Sequence, residues 1–286
     1  MIYSMTGYAS ASQDLPTGSL AAELKSVNGR YLDVQFRLPE ELRAAEPALR
    51  ELIQARVARG KVECRVAVTP SAGAAPQLAV NEALLAALGE ASHKVRAAIR
   101  DAQPLSVGEV LNWPGVLGDD RSAVLREACV VLMQKLLEEF TATRAREGGK
   151  LAGMLTERTG RMSALLESIG PKLPEAIAAY QEKLGARLRE ALGESNEERI
   201  RQEMALFGVK ADVAEELGRL GAHLEEVRRV LKAGGSVGKR LDFLMQELNR
   251  EANTLGSKSV SKELSDASLE MKLLIEQMRE QVQNLE

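Results

Sequence analysis

The hydrophobic period changes once along this chain, and that change limits the available folds more than any other feature. Up to about residue 69 apolar residues recur at every second position. Leu20, Ala22 and Leu24, then Leu32, Val34, Phe36 and Leu38, then Val62, Cys64, Val66 and Val68 alternate with polar neighbours. A period of two turns one side of a strand toward a core and the other toward water. Ile2 to Ala9 is shorter and also β-prone. Asn28-Gly29 lies between two of these runs and predicts a hairpin, since both residues tolerate φ > 0. Pro39 ends the run at 31–38. A helix is expected from about Glu40 to Arg59, with Leu42, Leu49, Ile53 and Val57 on its stripe and Gly60 past its end. The order β-β-β-α-β predicts an α+β fold, a small N-terminal antiparallel sheet with a covering helix.

Residues 70–79 form a loop rich in Pro, Gly and Ala, and beyond it the period is 3.6. Helices are expected near 81–101, 106–112, 121–147, 150–169, 172–193, 196–208, 210–232, 237–256 and 262–285. Gly148-Gly149 and Pro171/Pro174 are the expected breaks. Ser195 and Glu198 have the spacing of a capping box. The chain thus divides into an α+β region (1–75), a helical middle region (76–195) and a C-terminal helical region (196–286). Three stripes run through the last: Val213, Leu217, Leu220, Leu224, Val227 and Leu231; Leu241, Leu244, Leu248, Ala252 and Leu255; and Leu264, Ala267, Met271, Leu274, Met278, Val282 and Leu285. Such stripes build a long helical bundle or coiled coil. The third is expected to stay partly exposed on a lone terminal helix, which predicts a homo-oligomer.

Charge narrows the function classes. The 286 residues carry a net charge of −3, so the chain as a whole does not attract nucleic acid, and any RNA contact must be local. Cys64 and Cys129 lie in apolar segments without partners at ligand spacing and read as reduced thiols. The N-terminus lacks the pattern of a signal peptide, and no apolar run approaches a bilayer's thickness, so a cytoplasmic protein with no membrane partner is expected.

Chemistry concentrates beside the C-terminal stripes. Asp212, Glu216, Arg219 and His223 recur along one flank of the helix at 210–232, and Arg240, Glu247, Glu251 and Thr254 along the next. Asp212, Glu216, His223, Glu247 and Glu251 form the one dense set of acids and imidazole in the sequence. Carboxylates suit Mg²⁺ or Mn²⁺, with imidazole better tolerated by Mn²⁺, and such ions assist phosphodiester cleavage. His223, Glu216 and Glu247 are the candidate catalytic residues, and all five are candidate metal ligands. The competing reading is a salt-bridged seam in which Arg219, Arg240 and Arg250 neutralise the acids.

The loop Gly234-Gly235-Ser236-Val237-Gly238-Lys239-Arg240 fails as a nucleotide phosphate loop. Its glycine spacing is one short, and Arg240 stands where a Mg²⁺-binding hydroxyl is required. It reads instead as a glycine helix stop followed by a Ser236 N-cap. Residues 232–262 hold six cations against three anions, a local net charge of +3. Lys25, Arg30, Lys61, Lys239, Arg240, Asn249, Arg250, Asn253 and Lys258 are the candidate RNA contacts, with Arg37, Arg59 and Arg65 near the first three. His93 has no useful partner and reads as structural.

Several long blocks add a resemblance. SMTGYA, ELKSVNGRYLDVQFRLPEEL and RGKVECRV near the N-terminus resemble the signature of the YicC/YloC family. DVAEELGRLGAHLEEV, VGKRLDFLMQELNREANTLGSKS and EMKLLIEQMREQVQNLE are similar to its C-terminal signature, while residues 70–195 match in fragments such as WPGV at 113–116. The resemblance implies a bacterial, stress-associated endoribonuclease that needs a divalent cation, cleaves single-stranded or hairpin RNA, and closes on RNA as a hexamer. It does not assign the catalytic residues. Two rivals are a non-catalytic RNA-binding oligomer that presents RNA to another nuclease, and a structural coiled-coil assembly factor.

Overall fold

A computed structural model describes residues 1–16, 18–71, 80–117, 120–192, 196–211 and 213–286. It has a four-stranded sheet near the N-terminus and helices over most of the rest, the α+β architecture expected. The chain forms two compact units. One comprises Tyr8–Ser26 and Leu32–Phe140; the other comprises Met1–Gly7, Val27–Tyr31 and Thr141–Glu286.

In the first unit β1 (Gly7–Leu15), β2 (Gly18–Val27), β3 (Leu32–Arg37) and β4 (Gly60–Pro70) are ordered β1-β2-β4-β3. The period-2 residues do what their spacing requires: Leu20, Ala22, Leu24, Val62, Cys64 and Val66 are buried. The strand order corrects the hairpin expected at Asn28-Gly29. β4 lies between β2 and β3, and neither Asn28 nor Gly29 has a positive φ. It also corrects the purely antiparallel sheet, because β3 runs parallel to β4, from Leu32 beside Gly60 to Arg37 beside Arg65. A parallel pair needs a crossover, and residues 38–59 supply it. That crossover is a 3₁₀ turn (Glu40–Ala45) and a shorter helix, α1 (Glu46–Gln54), rather than one helix to Arg59. Pro47 accounts for the start, since proline fits the first turn and not a helix interior. Leu42, Leu49, Ile53 and Val57 close over the sheet together with Leu125, Cys129, Met133, Leu136 and Phe140 of a later helix.

Helices α2 (Glu82–Ala98) and α3 (Val107–Leu111) begin at side-chain caps, Asn81 and Ser106. The capping box found is Ser106 with Glu109; Ser195 lies outside the described residues. Helix α4 (Asp120–Ile169) then runs 50 residues without the break expected at Gly148-Gly149. Two interior glycines cost about 2 kcal/mol relative to alanine. Each buried Leu or Met contributes about 1.5–3 kcal/mol, and Leu151, Leu155 and Met162 are all buried beyond the pair, so packing wins. Gly148 serves a close approach: a Cβ there would stand 2.2 Å from the Ile2 carbonyl oxygen.

The second unit is a helical bundle of the later part of α4 with α7 (Ala214–Ala233), α8 (Gly238–Ser257) and α9 (Lys262–Val282). Helices α5 (Leu173–Leu192) and α6 (Glu197–Ala211) belong to the same unit. All seven residues of the third stripe, Leu264 to Leu285, are buried within the chain. The partial exposure expected for that stripe is therefore absent, and α9 instead leaves Leu269 and Leu273 in solvent on another face. The two chain ends are stitched into this unit. Met5 N–H donates to Asn284 O (2.7 Å), Glu286 N–H to Tyr3 O (3.0 Å) and Ser4 N–H to Arg144 O (3.0 Å). The buried Arg144 guanidinium donates to Ser4 O at 2.6 Å and to the Glu286 carboxylate. Asn28, expected in a hairpin turn, instead donates its amide to Gln283 O at 2.7 Å. Among the described residues no helix is long and apolar enough to cross a membrane.

Candidate active site

The connection between α7 and α8 is short because two glycines accept conformations that L side chains rarely adopt. Gly234 has φ +70° and Gly235 φ +84°. The expected glycine stop is present. The expected Ser236 cap is not: Val237 occupies the N-cap, without a side-chain bond, and its N–H donates to Glu286 O at 3.2 Å. Gly235 N–H in turn donates to Met1 O at 3.0 Å, so the chain ends accept from two backbone N–H groups of this connection.

The two helices therefore run antiparallel, and ion pairs mark their register. Arg240 of α8 bonds Glu226 of α7 at 3.2 Å, Arg219 bonds Glu251 at 3.4 Å, and Lys258 bonds Glu216 at 2.8 Å. The first two bracket residues 219–226 against 240–251. His223 and Glu247, both half-buried, lie within that bracket.

Glu216 and Glu251 are set apart by burial. Their side chains are 8% and 5% exposed, and each sits on its helix's core-facing stripe, Glu216 in line with Leu220, Leu224 and Val227. Their spacing predicts a flank beside that stripe rather than the stripe itself. A carboxylate in such a place is costly unless compensated. Compensation here is partial. Lys258 Nζ serves Glu216 Oε1, while Glu216 Oε2 is buried without a hydrogen-bond partner. Glu251 receives Arg219, which also binds the exposed Glu215. Both carboxylates together hold Arg219 above its ordinary range, with Glu215 the larger influence.

Of the five residues expected to hold a metal, the structure puts Glu216 and Glu251 in the helix seam with His223 and Glu247 beside it, and Asp212 lies outside the described residues. Among the described residues no three His, Cys, Asp or Glu side chains converge as a metal cage. The donor set fits a hard cation held in another way. Mg²⁺ ordinarily takes one or two carboxylates and completes its shell with water and substrate phosphate, and the orphaned Glu216 oxygen is of the type that could serve as one of them.

The expected RNA contacts are mostly in solvent. Lys25 and Lys61 are exposed in the sheet unit; Arg30, Lys239, Arg250 and Asn253 are exposed in the helical unit. Asn249 and Lys258 are half-buried, and Lys258 and Arg240 are committed to acids. Glu226 is held down at about 2, chiefly by its hydrogen bond from Arg229 and then by Arg240. His93 is exposed on α2. Burial pushes the Cys64 and Cys129 thiols up to about 12 and about 11, as inert, reduced side chains. Sequence reasoning missed Arg144, which no periodicity marks, because its partners lie at the two chain ends.

A helical seam with half-compensated carboxylates, attached to a chain with an α+β sheet unit, defines a class of acid-bearing helical proteins rather than one activity. The comparisons are more specific. Residues 2–153 match the family described as Endoribonuclease YicC-like, N-terminal region, and residues 169–286 match that described as Endoribonuclease YicC-like, C-terminal. The chain belongs to the YicC-like endoribonuclease family. It is 38% identical over 289 residues to a protein of Haemophilus influenzae named probable endoribonuclease YicC, covering all of both chains. A protein of the same name from Clostridioides difficile is 27% identical over 293 residues, again end to end.

Proposed function

We propose that this chain is a divalent-metal-dependent endoribonuclease that cleaves single-stranded or hairpin RNA in RNA turnover. The observation that carries the reading is the pair of buried carboxylates, Glu216 and Glu251, one with an unpartnered oxygen, in a chain of an endoribonuclease family. Glu216 and Glu251 would hold Mg²⁺ or Mn²⁺, with water and RNA phosphate completing the shell. When bound, the cation offsets charge developing on the phosphate and favours ionisation of a water. Glu247 accepts a proton from the attacking oxygen, and His223 donates one to the leaving oxygen. Lys258 and Arg219 neutralise the carboxylates before RNA arrives, and the exposed Lys239 and Arg250 contact phosphates. Self-association belongs to the same reading, with a hexamer the form that the resemblance implies. The surface supporting it is the outer face of α9, where Leu269 and Leu273 are 68% and 60% exposed.

A second reading has its own observation. Glu216 and Glu251 both have basic partners, as a structural seam in a non-catalytic RNA-binding adaptor would. Glu216→Gln and Glu251→Gln separate the two, because they keep shape and remove charge. Their partners Lys258 and Arg219 are 29% and 52% exposed and can turn to water, so folding should survive. Cleavage is expected to fall about 10²-fold, and calorimetric Mn²⁺ binding to weaken in parallel. Wild-type cleavage and Mn²⁺ binding in both variants would move the metal site away from this seam, and RNA binding by the purified wild type without any cleavage would favour the adaptor.

A further inference from the structure

Aromatic side chains are scarce here, nine in 286 residues, and a core that depends on Leu, Ala, Val and Met has a use for each. Two are nevertheless left in water with an arginine over the ring. Tyr31 is 72% exposed with the Arg30 guanidinium carbon 5.4 Å from its ring centre. Phe243 is 49% exposed with that of Arg240 at 5.8 Å. The sheet unit shows what a structural pair of this kind looks like. Arg50 lies 5.0 Å over the half-buried Phe36 and is also tied to Val34 O and Glu46.

The two exposed pairs belong to the same unit, and each follows within a few residues of a bond to the turn at 283–286. Asn28, three residues before Tyr31, donates to Gln283 O; Val237, six residues before Phe243, donates to Glu286 O. We propose that Tyr31 and Phe243, each with its arginine, form a stacking platform for unpaired nucleotides of RNA. This rests on the RNA-cleaving reading above and adds how the substrate strand is gripped. An unpaired base offers a flat face that stacks on a ring whatever its identity. Arg30 beside Tyr31 supplies a cation for the neighbouring phosphate, and Lys239 does so near Phe243, where Arg240 is held by Glu226. Each arginine keeps its ring's other face occupied between encounters. Among the described residues Arg30 makes no ion pair, and Lys239 beside Arg240 is exposed, so the surface complements a polyanion. Bases in a duplex are already stacked, so the platform selects single strands and loops over helical RNA.

The test is anisotropy of a fluorescent oligouridylate with the full-length protein in EDTA, where metal-assisted cleavage cannot consume the probe. Tyr31→Ala and Phe243→Ala should each weaken binding about tenfold, the scale of one lost stack. Tyr31→Phe and Phe243→Tyr should bind as the wild type does, because the ring is kept. The salt slope should be unchanged in the alanine variants, since it counts phosphate contacts. A duplex RNA should be insensitive to all four changes. Wild-type affinity in both alanine variants would overturn the platform, as would a change in oligomeric mass without a change in RNA affinity, which would make the rings a contact between copies. If the wild type cuts RNA but does not bind the oligouridylate, the platform alone fails. If it neither binds nor cuts any RNA, the functional reading itself fails.

Discussion

Arg144 and Glu286 show how much one buried pair can decide. The guanidinium sits in the bundle, bonds the Ser4 carbonyl and the last residue's carboxylate, and so ties both chain ends to α4. Removing one partner leaves the other charge buried and uncompensated, which typically costs 3–5 kcal/mol. Arg144→Ala should lower stability by about that much in urea unfolding. A change under about 1 kcal/mol would mean that the ends are not fastened there. Glu226 makes a pH-dependent contribution. Its carboxyl is lowered from the ordinary range near 4.3 to about 2, first by Arg229 and then by Arg240. A depressed carboxyl stabilises the fold fully above its unfolded value and loses that contribution as pH falls through its folded value. The difference in melting temperature between wild type and Glu226→Gln should be largest above pH 5 and shrink toward pH 2. A difference that stays constant or grows on acidification would contradict the assignment.

At the scale of elements, the glycine pair in α4 allows a test within two adjacent residues. Gly148 is buried against the Ile2 carbonyl, whereas a Cβ at Gly149 meets nothing within 4 Å. Gly149→Ala should therefore stabilise the protein by about 1 kcal/mol through helix propensity. Gly148→Ala should destabilise it by about 1–3 kcal/mol through overpacking. Equal effects would show that the N-terminal segment does not cross α4 at that turn. The same pair marks where the sequence stops being legible. Periods of 2 and 3.6 place the strands and most helices, because burial of a face is a local property of spacing. The uninterrupted α4, the β4 strand inserted between β2 and β3, and the real role of Asn28 depend on partners more than a hundred residues away or on strand order, which spacing does not encode. The site is legible to the same degree. The acids at 216, 247 and 251 are visible as a cluster, but the burial of Glu216 depends on how α7 is rotated. Val230 is buried and Leu231 only partly so, and the stripe is accordingly turned toward Glu216.

For the whole molecule, two features pull in opposite directions. The chain is acidic overall, yet its family is one of endoribonucleases, and its carboxylates are half-compensated in a seam whose flanks carry arginine and lysine. The proposed cation would reconcile them, by supplying the missing positive charge at Glu216 and Glu251 where the RNA phosphate is to be met. The measurement that bears most directly on this is cleavage of a labelled hairpin RNA by the purified full-length protein, compared in EDTA, in Mg²⁺ and in Mn²⁺, with Glu216→Gln prepared identically to exclude a contaminating nuclease. The account predicts endonucleolytic products only with a divalent ion, and a loss of about 10²-fold in the variant. Equal cutting in EDTA and Mn²⁺, or no cutting under any condition while RNA is still bound, would contradict it.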